Sequence, residues 1–285
     1  MIPRQSPTVR SRRLRSLLRK LREDRGLTIE QVVRQVDWQA PKLSRIETGQ
    51  RHAHPNDVRA LADVYGVSDA DKEALITLAR EARQRGWWQP YSDALPPWFE
   101  TYVGLEAEAA SISAYGPELV PGLMQTEAYA RAQMKAAPIP DSDEEIDKRI
   151  AVRMNRQRRL VESSPPECWV ILNEAVLRRQ VGGTETMHAQ LTHLIDLARV
   201  PTVALQVLPF AAGAHPGTHG AFMILGFPEP NDLDVAYVEY LTGSAYLEAP
   251  HEVARYTLVM NHLRARALSA DESVALIRDT VEHLE

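Results

Sequence analysis

The stretch from Leu27 to Arg51, LTIEQVVRQVDWQAPKLSRIETGQR, admits few folds. Thr28 followed three residues later by Gln31 has the capping-box spacing, in which the hydroxyl accepts from the third helical N–H and the amide reaches back. Ile29, Val32, Val33 and Val36 then recur at helical spacing and define one apolar face. Asp37-Trp38 breaks that pattern. Gln39 stands at an N-cap position, and Pro41 falls in the first turn of a second helix, where its missing N–H costs nothing. That helix starts near Ala40 and stops before Gly49. Leu43, Ile46 and the apolar part of Trp38 turn toward a core, leaving Gln39, Lys42, Ser44 and Arg45 outward. Two short helices joined by a tight turn, the second polar on its outer side, have the geometry that sets side chains against base edges in a DNA major groove.

Charge is unevenly divided along the 285 residues. Residues 1–54 hold 13 Lys or Arg against 5 Asp or Glu, a balance of +8; the rest hold 20 against 33, a balance of −13. Only the first part suits a phosphate backbone, and the acidic remainder suits protein or small-molecule partners. The length allows two domains. No apolar run reaches a membrane span, and the Arg-rich start lacks the apolar core of a signal peptide, so a cytoplasmic protein is expected. The single cysteine, Cys168, excludes an internal disulfide and any multi-thiolate metal site.

The string Lys42 to Arg51, KLSRIETGQR, resembles the LSRIE-x-G-x-R signature of the phage-repressor (Cro/Xre) helix-turn-helix family of transcriptional regulators. The resemblance implies a five-helix DNA-binding domain over roughly 9–66. It also implies base-reading positions at Ala40, Pro41, Ser44 and Arg45, with N-cap and phosphate contacts at Gln39 and Lys42. Thr28 and Arg51 complete the candidate DNA-binding residues. Ala40 and Pro41 carry no hydrogen-bonding side chains, so readout falls to Arg45, Ser44, Gln39 and Lys42. Arg45 is the expected bidentate partner of a guanine; the alternative is that it pairs with Glu47 or another carboxylate on a solvated face. One short helix reads only a few base pairs, so a homodimer on a partly palindromic operator is expected.

Around this motif, residues 1–8 read as loose. Arg10, Arg12, Arg13 and Arg15 form either an arm on the DNA backbone or a solvated helix face. Leu14, Leu17, Leu18 and Leu21 make an apolar stripe, Pro55 opens a helix with Val58, Leu61 and Ala62, and Ser68 caps another over roughly 69–84. This last helix lies beyond the family's minimal domain, as a strut or a dimer contact. Residues 85–98 are rich in proline and aromatics and read as a linker between a domain at 1–84 and another at 99–285. Trp87, Trp88, Tyr91 and Trp98 either stack a base or ligand or pack between domains.

In the second domain Thr126 caps a helix through about 135, and Asp141 or Ser142 starts a longer one. The longer helix carries Lys148, Arg149, Arg153, Arg156, Arg158 and Arg159, which either touch DNA or an acidic partner or pair with the domain's own carboxylates. Apolar runs of strand length follow at 169–172, 203–208, 221–227, 235–240 and 245–247. A helix at about 184–198 separates the first two, and helices at about 252–268 and 271–283 end the chain. One crossover followed by a three-strand meander predicts a mixed α/β domain with a sheet of about five strands.

The blocks YGPELVPGLMQTE from Tyr115, NEAVLRR from Asn173, QVLPFAAGAHPG from Gln206 and VEYLTG from Val238 resemble the C-terminal domain of a large actinobacterial set of Xre-type regulators. These are described as antitoxin-like and accompanied by a small partner protein, so the resemblance implies a regulatory role and a partner encoded nearby. It brings no catalytic residue or ligand.

His215 and His219 lie four apart, but Gly213, Pro216, Gly217 and Gly220 argue against the helix that would make them a zinc pair. Glu174, Glu229, Asp232, Asp234 and Glu239 are scattered, with Glu174 and Glu239 following or ending strands, where they either form a site or take a capping or salt-bridge role. No HExxH, GxSxG or GxxxxGK[ST] occurs. The expectation is therefore no enzyme, no cofactor and no metal. The acidic domain either docks a protein partner or senses a small-molecule effector in a pocket near the loop 209–220.

Overall fold

Each capping residue singled out around the Leu27–Arg51 stretch bounds a helix in the structure, a computed structural model that describes residues 7–84, 86–137, 142–229 and 232–284. The chain divides into two compact units, Met1–Gln89 and Pro90–Glu285.

The first unit is all helical: α1 (Pro7–Asp24), α2 (Ile29–Gln35), α3 (Ala40–Glu47), α4 (Pro55–Tyr65) and α5 (Asp69–Glu81). Leu14 and Leu18 of α1, Val32 and Val33 of α2, Leu43 and Ile46 of α3, and Val58 and Leu61 of α4 share one buried cluster. Leu75, Ile76 and Ala79 of α5 belong to the same cluster. This corrects two expectations. The span 9–66 holds four helices rather than five, and α5 is the fifth member of the core, with its apolar face already buried rather than free for a second subunit. The start is also more ordered than expected, since Thr8 lies within α1; residues 1–6 lie outside the described residues.

The tight turn between α2 and α3 rests on Asp37, the one described non-glycine residue with positive φ, at 53°. Left-handed backbone costs an L-residue roughly 1–2 kcal/mol, least for Asn and Asp, whose short side chains bond locally. The reversal lets the Trp38 N–H donate to the Val33 carbonyl at 2.9 Å. Asp37→Val is expected to lower stability by about 1–2 kcal/mol, whereas Asp37→Gly does not, as read by urea denaturation.

The second unit contains α6 (Pro97–Glu106), β1 (Ser111–Gly116), α7 (Glu127–Lys135), α8 (Asp143–Gln157), β2 (Glu167–Asn173), α9 (Glu174–Arg178), α10 (Thr184–Leu197) and β3 (Val203–Leu208). β4 (Phe222–Gly226), β5 (Val235–Tyr240), β6 (Gly243–Leu247), α11 (Pro250–Arg266) and α12 (Ala270–Glu282) complete it. The six strands form one sheet in the order β3-β2-β1-β4-β5-β6. β1, β2 and β3 run parallel, joined by helical crossovers, and β4, β5 and β6 form the antiparallel meander. Val170, Ile171 and Leu172 are all buried, so helices cover both faces of β2. On one face Tyr115, Ile171, Phe222 and Ile224 pack against Val253, Met260 and Leu263 of α11.

The fold class is the one expected, an all-α helix-turn-helix domain followed by a mixed α/β domain, but with six strands rather than about five. The additional strand, β1, sits at the centre of the sheet. Its sequence is SISAYG, and at its last position space is short: a Cβ on Gly116 would stand 2.7 Å from the Leu119 carbonyl oxygen. Helix α6, which begins inside the stretch read as linker, was also not expected. Tyr102, Val103, Gly104, Leu105 and Glu106 are buried in succession, which leaves no apolar stripe to read. The Ser142 cap of α8 is present with Glu145 at its third position; Asp141, the other residue considered, lies outside the described residues.

Candidate nucleic-acid interface

The second helix of the motif presents the face that its sequence pattern requires. Leu43 and Ile46 are 0% and 1% exposed, which fixes the rotation of α3 about its axis. Gln39, Pro41 and Arg45 are exposed, and Ala40 and Ser44 are half-buried at the edge of the same face. Gln39 occupies the N-cap with extended backbone but makes no side-chain capping bond, so its amide remains available to a ligand. Thr28 and Gln31 complete their capping box: the Gln31 N–H donates to Thr28 Oγ1 at 3.2 Å and the Thr28 N–H to Gln31 Oε1 at 2.8 Å.

Arg45 is not paired with Glu47. The carboxylate of Glu47, 5% exposed, accepts two hydrogen bonds from Arg22 of α1, from Nε at 2.7 Å and from Nη2 at 2.9 Å. Arg22 also donates from Nη1 to the Leu27 carbonyl at 2.8 Å, tying α1, the entry to α2 and the end of α3 at one point. The hydrogen bonding to Glu47 raises the Arg22 pKa above its ordinary value against the opposing effect of burial. With Glu47 committed, the Arg45 guanidinium forms no hydrogen bond or ion pair with any described residue. The Arg51 side chain, exposed in the loop that follows, is equally unengaged.

Lys42 departs from its expected outward placement. Its ammonium lies 2.6 Å from Asp57 Oδ1 and 3.5 Å from the centroid of the Trp38 ring. Asp57 is the third residue of α4 and part of the capping box with His54, so its carboxylate is held where Lys42 reaches it. Lys42 therefore buttresses the turn and α4, and a phosphate must compete with Asp57 for it.

The proposed basic arm is corrected in part. Arg10 and Arg12 are only 8% and 7% exposed. Arg10 Nε lies 3.5 Å from Glu81 Oε2, and Nη1 donates to Gln84 Oε1 at 3.5 Å. Arg10 stands four residues before Leu14 and eight before Leu18, on the buried line of α1. Arg15 reaches the C-terminal end of α3, where a Cβ on Gly49 would collide with its guanidinium. The salt dependence of DNA binding separates these roles. Arg51→Ala is expected to lower the slope of log affinity against log salt by about 0.9, whereas Arg10→Ala leaves the slope unchanged and lowers stability instead.

The second basic cluster, on α8 and the turn after it, is turned into its own domain except at Arg158, which is exposed and forms no hydrogen bond or ion pair with any described residue. Arg156 donates to Glu106 from Nε at 2.6 Å and from Nη2 at 2.7 Å, with both side chains under 5% exposed. Burial opposes the charge of Arg156, and the facing Glu106 charge and hydrogen bonds outweigh it, raising the pKa. Tyr102 donates to the same carboxylate at 2.5 Å. Lys148 pairs with Asp93 at 2.8 Å, Arg149 Nε donates to the Ala94 carbonyl at 2.8 Å, and Arg159 Nη2 to the Ala109 carbonyl at 2.6 Å.

Of the remaining polar candidates, His215, Glu174 and Glu239 have structural partners, whereas the side chains of His219 and Asp234 are exposed and form no hydrogen bond or ion pair with any described residue. His215 Nδ1 accepts from the Gly217 N–H at 3.2 Å, and Glu174 accepts from the Phe210 N–H at 2.9 Å and from Arg178. Glu239 accepts from the Tyr237 hydroxyl at 3.0 Å. Cys168 is buried, and burial pushes its thiol up to about 12, so it carries no thiolate at neutral pH. Of the aromatics near the boundary, Trp88 is 3% exposed, and its ring meets Trp87 edge-on at 5.9 Å. No helix among the described residues is long and apolar enough to cross a membrane.

A helix-turn-helix domain model matches residues 13–75, and the model of a domain of unknown function, DUF5753, matches residues 99–279. No curated protein and no solved structure matches the chain.

Proposed function

We propose, from the premise that this chain belongs to the DUF5753 family and carries a helix-turn-helix domain ahead of it, that it is a sequence-specific transcriptional regulator of the Xre type. In this reading it binds as a homodimer, and its acidic domain receives the controlling signal without doing chemistry. The observation that carries the reading is the Arg45 guanidinium, exposed on α3 and released from competition for Glu47 by Arg22. Selection of bound duplexes from a random DNA pool with the purified chain tests it. The expected product is a partly palindromic site with half-sites about one helical turn, roughly 34 Å, apart. A pool that stays random after selection removes the sequence-specific reading, and an enriched single half-site removes the dimer.

For the signal, the first reading is antitoxin-like docking of a small partner protein. Its support is a groove of about 590 Å³ beside α11, bordered by Asp232, Asp234 and Glu248 and by Leu233 and Leu258, which are 52% and 58% exposed. An acidic rim around exposed leucines suits a basic amphipathic segment. Co-elution with the product of the neighbouring gene at fixed stoichiometry supports docking, and separate elution contradicts it. The second reading, sensing of a small molecule, is favoured by a larger cleft in the same unit, of about 690 Å³. It lies alongside α8 and β5; Ala221, the residue after the loop 209–220 near which a pocket is expected, lines it, and no residue of that loop does. The spent roles of His215, Glu174 and Cys168 support a non-catalytic domain.

A further inference from the structure

The cleft of about 690 Å³ is walled by Trp98 and Phe99 of α6, by Arg149, Arg153 and Arg156 of α8, and by the β5 end at Tyr240 and Leu241. This volume falls within the range of roughly 300–1,000 Å³ that small-molecule sites occupy. Its polar wall is not balanced like the rest of α8. Arg156 is neutralised by Glu106 behind it. Arg153 Nη1 donates to Gln125 Oε1 at 2.6 Å and to Gln133 Oε1 at 3.1 Å, both uncharged amides, and its Nε has no hydrogen-bond partner. Arg153 forms no ion pair with any described residue. Burial, and then the neighbouring Arg156 charge, bring its pKa down to about 10, which leaves it a cation at neutral pH with no carboxylate bound to it. Glu239 faces the same cleft, accepts from the Tyr237 hydroxyl, and its charge favours the charged form of Arg153 without a hydrogen bond between them.

A half-buried guanidinium hydrogen-bonded only by amides is an incomplete pairing, because its planar fork matches a carboxylate or phosphate and its desolvation is offset best by one. The other wall is apolar and aromatic. Phe99 stacks on Tyr102 at 5.4 Å, and the mouth carries Tyr240 and Leu241, which are 56% and 92% exposed. We propose that this cleft binds a small organic anion with a planar apolar body, its anionic group held by Arg153 and its body lying against Trp98 and Phe99 beneath Tyr240 and Leu241. The inference rests on the sensing reading and adds to it the class of effector.

Two dyes of one shape test it on the full chain: anilinonaphthalene sulfonate, an aromatic anion, and its uncharged counterpart N-phenylnaphthylamine, each titrated by fluorescence. The sulfonate is expected to saturate at one per chain and to bind about tenfold or more tighter than the neutral dye, as a charge-assisted hydrogen bond allows. Arg153→Met abolishes that difference and leaves the neutral dye unchanged. Leu241→Asp, at a position too exposed to affect folding, weakens the sulfonate more than the neutral dye. Equal binding of the two dyes, or a sulfonate affinity untouched by both substitutions, overturns the anion assignment while leaving a small-molecule site in place. Failure of both dyes to saturate overturns the sensing reading as well.

Discussion

Glu47→Ala is expected to cost the N-terminal unit about 3–5 kcal/mol, the range found when one partner of a buried ion pair is removed. Glu47 and Arg22 are 5% and 11% exposed at their side chains, so solvent screens the pair poorly. Removing the carboxylate leaves the Arg22 guanidinium with the Leu27 carbonyl as its one close oxygen partner beyond a 3.4 Å contact with Glu23. A domain stable by roughly 5–15 kcal/mol loses a large share of its stability in this way. Hydrogen exchange should show loss of protection at once in α1 and α3, the two helices that the pair joins, and DNA binding should fall for every sequence alike. The double variant Arg22→Met, Glu47→Ala should lose less than the two single losses combined, because no buried charge is left uncompensated. A loss below about 1 kcal/mol for Glu47→Ala would place the pair among solvent-exposed ones.

Glu106→Ala should have an effect of similar size, about 3–5 kcal/mol, on the second unit. Here the partners are more deeply buried, at 3% for Glu106 and 4% for Arg156, and the carboxylate also accepts from Tyr102. The loss leaves a guanidinium against the rings of Phe99 and Tyr102, each 5.2 Å away, with no hydrogen-bonded anion. Replacing both partners with methionine should recover most of the stability, since similar volume is kept and no charge is buried. Urea unfolding of the single and double variants measures this; a double variant no better than Glu106→Ala would mean that the hydrogen-bond geometry, not the stranded charge, sets the cost.

What was legible in the sequence is local. Thr28 with Gln31, Pro41 at the start of α3 and Thr126 ahead of α7 fixed helix starts because a cap and its partner lie within three residues of each other. β3 and β5 were read to the residue because apolar runs bounded by Pro, Asn or Asp leave little choice. β1 escapes because four of its six residues are Ser, Ala or Gly and only Ile112 and Tyr115 carry strong strand preference. At the site, the outward position of Arg45 follows from the phase that Leu43 and Ile46 set. The inward turn of Lys42 and Arg10 follows from carboxylates 15 and 71 residues further along the chain, Asp57 and Glu81, and helical phase carries no information about those. Arg10 did leave one signal, its place on the line of Leu14 and Leu18.

The central claim is that Arg45 reads sequence from α3. It is tested most directly by measuring affinity of the wild-type chain and Arg45→Ala for the selected operator and for random duplex at one salt concentration. Loss of about 1–3 kcal/mol of discrimination, with salt-sensitive binding to random DNA retained, is the predicted result. Discrimination equal to that of the wild type would contradict it.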